Sequence, residues 1–189
     1  MSSRKQELAS AVATLKAKNT QGGEPKIGQV GLTDKTIYVG FETTGKAGTM
    51  KVVDVNTKRI VGVTNLDGNK LDAGRDYIID GARILFGSDN EAIGAQNWQG
   101  GQSCPDVLKN AEIRILQGSR VVLDMPITDL VYSSDSNGMT QFRPISTSPL
   151  LVSNKEFEIE IEFPDGQSVP NLAKSFARLE FRAHQAKRA

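Results

Sequence analysis

The stretch KEFEIEIEFPDG, residues 155–166, decides the fold class because apolar and acidic residues alternate along it without a fault. The apolar residues are Phe157, Ile159, Ile161 and Phe163, and the acidic ones are Glu156, Glu158, Glu160 and Glu162. A period of two residues is typical of a β-strand with one buried and one solvated face. Asp165–Gly166 then supplies a turn. The stretch predicts one strand of an antiparallel sheet.

The same period recurs through most of the chain. TMKVVDVNTKRIVGVT, residues 49–64, predicts two strands around Asn56–Thr57, and RDYIIDGARILFG, residues 75–87, predicts a hairpin that turns at Asp80–Gly81. Further turns are predicted at Asp67–Gly68, Gln117–Gly118 and Asn137–Gly138, and a last strand at FARLEFRAH, residues 176–184. About nine or ten strands at this spacing are typical of sandwiches and barrels. No helical period separates them, which argues against parallel βαβ units. We expect an all-β, antiparallel two-sheet sandwich.

The first segment is predicted to be a short amphipathic helix. Ser3 and Gln6 form a possible capping box, and Asn19 and Gly22–Gly23 end the helical pattern. The apolar positions, at helical spacing, are Leu8, Ala11, Val12 and Leu15. A stripe this narrow does not stabilise a helix alone, so we expect the helix to dock on its own body or on a partner.

Composition is that of an ordinary globular domain: 189 residues, 38% hydrophobic and 24% charged. The expected division is a basic N-terminal arm (1–23), a β-sandwich (24–184) and a basic C-terminal tail (185–189). Residues 1–26 carry a net charge of +3 and residues 174–189 carry +4, which leaves −6 between them. Basic ends of this kind contact phosphate-rich partners or keep the chain ends soluble. The N-terminus lacks the apolar run of a secretory signal.

Residues for nucleophilic or metal chemistry are scarce. The chain has one histidine, His184, predicted to lie in a basic tail, and one cysteine, Cys104, with no neighbouring charge to activate it. A zinc site needs several His and Cys ligands, and no phosphate-binding glycine motif is present. We expect no enzymatic activity, no cofactor, no metal and no small-molecule substrate.

The row of four glutamates admits three interpretations. It is the solvated outer face of a sandwich strand, a surface that meets a basic face of a neighbouring subunit, or a calcium site shared between subunits. In water, neighbours about 6.7 Å apart repel by only about 0.6 kcal/mol. Arg178 and Arg182 share one parity of the last strand, and we expect that strand to lie beside residues 155–163, with both arginines facing the glutamates.

Residues 87–106 form a long polar segment that breaks the alternation and contains Trp98, the only tryptophan. Long loops in compact domains are usually functional or disordered. Trp98 stacks on a sugar, lies in a protein interface, or folds back onto the body as a plug. A cluster of Trp98 with Tyr132 and Tyr77 on one exposed face would favour sugar binding.

The succession NAEIRILQGSRVVLDMPITDLVY, FRPISTSPLLVSNKEFEIEIEFPDG and RLEFRAH resembles the jelly-roll capsid proteins of icosahedral bacteriophages. The resemblance lies in the order of strands, turns and proline-containing loops over residues 27–184. It implies a single jelly roll that assembles with copies of itself and other virion proteins, as a capsid, vertex or minor subunit. It also implies localisation in the virion, with basic termini that face membrane lipid or genome. The alternative is a carbohydrate- or receptor-binding sandwich that uses the Trp98 loop.

Overall fold

The computed structural model describes residues 4–20, 30–131 and 142–188. Three helices lie within these ranges: α1 (Arg4–Thr20), α2 (Asp106–Lys109) and α3 (Thr128–Val131). The strands are β1 (Val30–Glu42), β2 (Thr49–Val53), β3 (Arg75–Gly87), β4 (Gln99–Gly100), β5 (Glu112–Gln117), β6 (Arg120–Pro126), β7 (Arg143–Pro144), β8 (Leu150–Leu151), β9 (Phe157–Glu162) and β10 (Phe176–Arg188). Within the described ranges, no helix is both long and apolar enough to span a bilayer.

The strands form two antiparallel sheets with the connectivity of a jelly roll. One sheet has the order β1-β10-β3, and the short strands β4, β7 and β8 all pair with β3; the other has the order β2-β9-β5-β6. The chain passes from one sheet to the other at the β1–β2, β2–β3, β4–β5, β6–β7, β8–β9 and β9–β10 connections, as the two Greek keys of a jelly roll require. The expected fold class, a two-sheet sandwich with a short N-terminal helix, is confirmed.

The space between the sheets is filled by apolar side chains. The largest of those that are almost completely buried include Phe157, Ile159, Ile113, Ile115, Ile84 and Phe181. The apolar parity of residues 157–163 faces this core, as predicted. Interiors packed in this way leave few voids larger than a water molecule.

The hairpin predicted within residues 75–87 is wrong, because β3 is one continuous strand. Its pairing with β10 shifts between Arg182 and Ala183, where Asp80 is the extra residue of a β-bulge. Tyr77 and Ile79 face the core before the bulge and Ala82 faces it afterwards. The extra residue therefore switches the buried parity from odd to even, as bulges do. Gly81 does not adopt a positive φ, so Asp80–Gly81 is not a tight turn.

Other predicted elements have mixed outcomes. The helix at the N-terminus, the β5–β6 hairpin at Gln117–Gly118 and the last strand are confirmed. The second strand predicted after Asn56 is wrong: residues 54–74 form an irregular β2–β3 connection. The boundary expected at residue 184 falls inside β10, so residues 185–188 are strand and not tail. Ser3 and Asn137–Gly138 lie outside the described residues.

The edges of the larger sheet are covered by short segments of the same chain. Along β1, the Gly40 N–H donates to Val63 O at 2.7 Å and the Tyr38 N–H donates to Asn65 Oδ1 at 3.0 Å, both in the β2–β3 connection. The opposite edge, on β3, is covered in turn by β8, β7 and β4, each only two residues long. Broken coverage of this kind prevents uncontrolled strand pairing between molecules.

Candidate functional site

Charged side chains from three strands gather on the outer face of the larger sheet. Ala177, Leu179, Phe181 and Ala183 of β10 face the core. Alternation therefore places Arg178, Glu180, Arg182 and His184 on the opposite face. We refer to these four residues, together with Asp80, Asp34 and Arg83, as the ionic cluster.

Asp80 is the centre of one half of the ionic cluster. Its side chain is 2% exposed, and its Oδ1 accepts a hydrogen bond from Arg182 Nε at 2.7 Å. His184 Nε2 lies 3.0 Å from Asp80 Oδ2, off the line that a hydrogen bond requires. His184 Nδ1 lies 3.3 Å from Asp34 Oδ1. The histidine expected in a tail is thus a buried strand residue between two carboxylates.

Glu180 is the centre of the other half. Its carboxylate, 7% exposed, accepts from Arg178 Nε at 2.7 Å and pairs with Arg83 Nη2 at 2.6 Å. Arg178 Nη1 also donates to Gly62 O, in the β2–β3 connection, at 3.2 Å. Removal of one partner from a buried pair of this kind costs about 3–5 kcal/mol, because the remaining charge stays buried. The ionic cluster therefore ties β10 to β3 and to the β2–β3 connection.

Aromatic rings cover the arginines of the ionic cluster. The Arg178 guanidinium lies 4.1 Å from the centre of the Tyr38 ring and 5.9 Å from that of Trp98. Arg83 lies 4.4 Å from the centre of the Phe142 ring. Trp98 is half-buried, so its ring lies close to Arg178 and part of the ring remains accessible to solvent. Tyr77 is buried in the core and Tyr132 is outside the described residues, so the three-ring platform expected for sugar binding is not formed with Tyr77.

Helix α1 docks on the same outer face through a small apolar contact. Ala11 and Leu15 pack against Ile78, Leu150 and Ala186. A hydrogen bond of 2.6 Å joins the hydroxyls of Ser10 and Ser148, and a cavity of about 180 Å³ beside this contact is lined by Ser10, Asp80 and Ser148, among others. Leu8 is 43% exposed and Val12 is half-buried. Leu8 and Val12, two of the four apolar residues predicted for this helix, are therefore not fully buried in a single chain.

The pairing expected between the glutamate row and Arg178 or Arg182 is wrong. Strand β9 lies between β2 and β5 in the smaller sheet, whereas β10 belongs to the larger one. Lys51 Nζ contacts Glu158 at 2.7 Å, and Arg114 Nη1 contacts Glu162 at 2.7 Å. These carboxylates raise the pKa values of Lys51 and Arg114. Glu156 is exposed and Glu160 half-buried, so the row is on the solvated outer face of the smaller sheet.

Two further ionisable side chains, Cys104 and Tyr77, are buried. Cys104 is buried, and burial raises the pKa of its thiol to about 12. Burial likewise raises the pKa of Tyr77, whose hydroxyl oxygen accepts a hydrogen bond from Gln185 Nε2 at 2.7 Å. Within the described ranges, no three His, Cys, Asp or Glu side chains are grouped so as to hold a metal ion.

Sequence reasoning found four members of the ionic cluster or its cover but missed the residues that join them. Arg178, Arg182, Trp98 and His184 were singled out, although not as one group. Asp80 and Arg83 were missed because the pattern of residues 75–87 predicts a hairpin. An available signal was the apolar residues on both sides of Asp80, which are Tyr77–Ile79 before it and Ala82 and Ile84–Phe86 after it. An isolated Asp–Gly among such residues suits a bulge as well as a turn.

Comparison with known proteins does not assign the chain to a family. No protein-family model matches the chain, and no curated protein matches it. Among solved structures, the decameric capsid protein of BFDV aligns with 85% of this chain and 100% of its own, at 12% identity and a TM-score of 0.33. A similarity this low carries no argument, so the fold assignment rests on the strand order described above.

Proposed function

We propose that this chain is a structural subunit of a virion, a capsid or vertex protein that assembles with copies of itself. Jelly rolls occur in viral capsid proteins, in lectins and in cupins, and fold alone does not decide between them. The interior here is packed with apolar side chains. A function at the outer surfaces is therefore favoured over one that needs a ligand cavity between the sheets.

The observation that carries the proposal is a set of strongly exposed aliphatic side chains. In the β2–β3 connection, Val55, Ile60 and Val61 are 72%, 56% and 84% exposed, and Leu172 in the β9–β10 connection is 98% exposed. Single exposed apolar residues are common, but several in one short connection suit a protein–protein contact. Together with the half-covered face of α1, they supply surfaces that a neighbouring subunit can bury.

Light scattering and negative-stain imaging of the untagged protein, across a concentration and a salt series, test this proposal. We expect closed rings or shells that form with rising concentration. A monomer at every concentration would overturn it.

A carbohydrate- or receptor-binding sandwich is the second candidate, favoured by the partly exposed rings of Trp98 and Tyr38, which both lie close to Arg178. Glycan binding that quenches Trp98 fluorescence in a monomeric protein would support this candidate instead.

A further inference from the structure

Exposed cations without an ion-pair partner are concentrated at one end of the sandwich. This end carries the β2–β3, β5–β6 and β8–β9 connections, and we refer to it as the basic end. Its cations are Lys35, Arg59, Lys70, Arg120 and Lys155, all exposed. None of the five forms an ion pair within the described part of the chain. Five uncompensated charges in one region favour a negatively charged partner.

Several cations elsewhere on the surface are paired, whereas Lys16, Lys46, Lys58 and Lys187 are exposed and form no ion pair within the described residues. Pairs within 3.3 Å join Lys51 to Glu158, Arg114 to Glu162, Lys109 to Asp106, Arg143 to Asp129 and Lys174 to Glu91. Lys46, between β1 and β2 at the opposite end, is exposed and has no ion pair within the described residues. Lys46 therefore provides a matched control for the lysines of the basic end.

Two adjoining grooves bring the five cations together. A groove of about 600 Å³ is lined by Lys70, Arg120 and Lys155, among others. A second groove, of about 300 Å³, is lined by Lys35, Arg59 and Lys70, with Arg75 as a further cation. Because Lys70 borders both grooves, they lie side by side, and we refer to the two grooves together as the channel of the basic end.

Backbone contacts hold the walls of this channel in place. Lys70 and Glu156 form a backbone bridge, and the flanking Phe157 N–H donates to Asn69 O at 2.8 Å. The Gln117 side chain donates to Val152 O and accepts from Val152 N–H, both at 2.9 Å. The side chains of Lys70 and Lys155 thus extend from anchored backbone, which lowers the ordering cost of binding.

The charge balance of the channel favours a polyanion. Six basic residues line it against three acidic ones, Asp67, Asp72 and Glu156, and Asp72 is paired with Arg75 at 2.7 Å. Exposed cations spaced along two adjoining grooves can contact successive phosphates of a flexible chain. Tyr77, the aromatic residue in the lining, is only 8% exposed, so it offers no platform for base stacking.

We propose that the basic end binds the phosphate backbone of single-stranded nucleic acid without regard to sequence. Such binding needs only one subunit and does not depend on self-assembly. This contact, built mainly from three internal connections, is separate from the one expected of the basic chain ends. Binding carried by phosphates alone is weakened by salt, with a slope of about −0.7 per phosphate on logarithmic axes, or about −3.5 for five contacts.

Fluorescence anisotropy of a labelled oligothymidylate of about 20 nucleotides, titrated with the full-length protein at about 50 mM salt and above, tests the proposal. We expect Lys70→Glu to weaken binding by about tenfold or more, and Lys46→Glu, which makes the same charge change, by less than about twofold. Oligoadenylate of the same length should bind as well as oligothymidylate. Unchanged circular dichroism melting would show that both variants are folded.

Three results would overturn the proposal. They are no binding by the wild-type protein at low salt, equal effects of Lys70→Glu and Lys46→Glu, and a strong preference for one base. Binding to phosphatidylserine vesicles without binding to either oligonucleotide would also overturn it, and would assign the basic end to lipid. The assembly experiment gives a separate answer, because a monomer that binds oligonucleotides refutes self-assembly and leaves nucleic-acid binding intact.

Discussion

Asp80 shows how one inserted residue changes the chemistry of a sheet. As the extra residue of the β3 bulge, it turns its carboxylate to the outer face, where Arg182 Nε lies 2.7 Å away. A carboxylate that is 2% exposed is stabilised by such partners and is costly without them. His184, 4% exposed, lies beside the same carboxylate and beside that of Asp34.

We predict that Asp80→Asn lowers the free energy of unfolding by about 2–4 kcal/mol, because it leaves the Arg182 charge without its buried partner. Asp34→Asn is the matched control. Asp34 also contacts His184 but is 73% exposed, so its substitution should cost less than about 1 kcal/mol. Urea unfolding of the three proteins measures the difference. Equal losses would mean that burial does not strengthen the Asp80 contacts.

At the scale of elements, β10 connects the parts of the larger sheet. It pairs along its length with β1 and β3, and through Arg178 it contacts the β2–β3 connection as well. The glutamates of β9, by contrast, are balanced across their own sheet by Lys51 on β2 and Arg114 on β5. Each sheet therefore has its own charged outer face. The charges on the larger sheet form buried pairs, whereas those on the smaller sheet are solvated.

Arg178→Glu should destabilise the protein by about 3 kcal/mol, because it places a carboxylate beside the buried Glu180 and removes the stacking on Tyr38. The expected repulsion comes from Glu180 and not from the glutamates of β9. Arg114→Glu, on the solvated face of the smaller sheet, serves as the comparison and should cost less than Arg178→Glu. Thermal unfolding of both variants measures the two losses of stability. A larger loss for Arg114→Glu would contradict the assignment of buried and solvated faces.

At the scale of the whole molecule, the β2–β3 connection has two roles. Its inner side covers the edge of β1 through Val63 and Asn65, and its outer side exposes Val55, Ile60 and Val61. A covered edge prevents assembly by strand addition. At this edge of the larger sheet, assembly is then expected to proceed by burial of the side chains on the outer side of the connection.

Val61→Glu should therefore impair assembly without a loss of subunit stability, since Val61 is 84% exposed in the single chain. We expect the protein concentration needed for assembly to rise by about tenfold, as burial of one charged in place of one apolar side chain implies. Val121→Glu, at a 51% exposed valine on β6, is the control. Light scattering of both variants measures the effect, and equal behaviour would exclude the β2–β3 connection as the interface.

Local pattern was enough to predict much of the fold. Alternation over 155–163 and 176–184 predicted two strands and their buried faces, and the spacing of Ala11 and Leu15 predicted the face of α1 that docks. Turn chemistry predicted the β5–β6 hairpin at Gly118, whose φ is 62°. These features follow from the sequence because they depend on a residue's near neighbours along the chain.

Tertiary structure alone decided which strands are neighbours, and with them the candidate site. No period in the sequence indicates that β9 pairs with β5 while β10 pairs with β3, or that Asp80–Gly81 is a bulge and not a turn. The ionic cluster and the basic end both join residues that are distant in sequence. Such contacts depend on how two sheets bury one shared core, and that burial is a property of the whole chain.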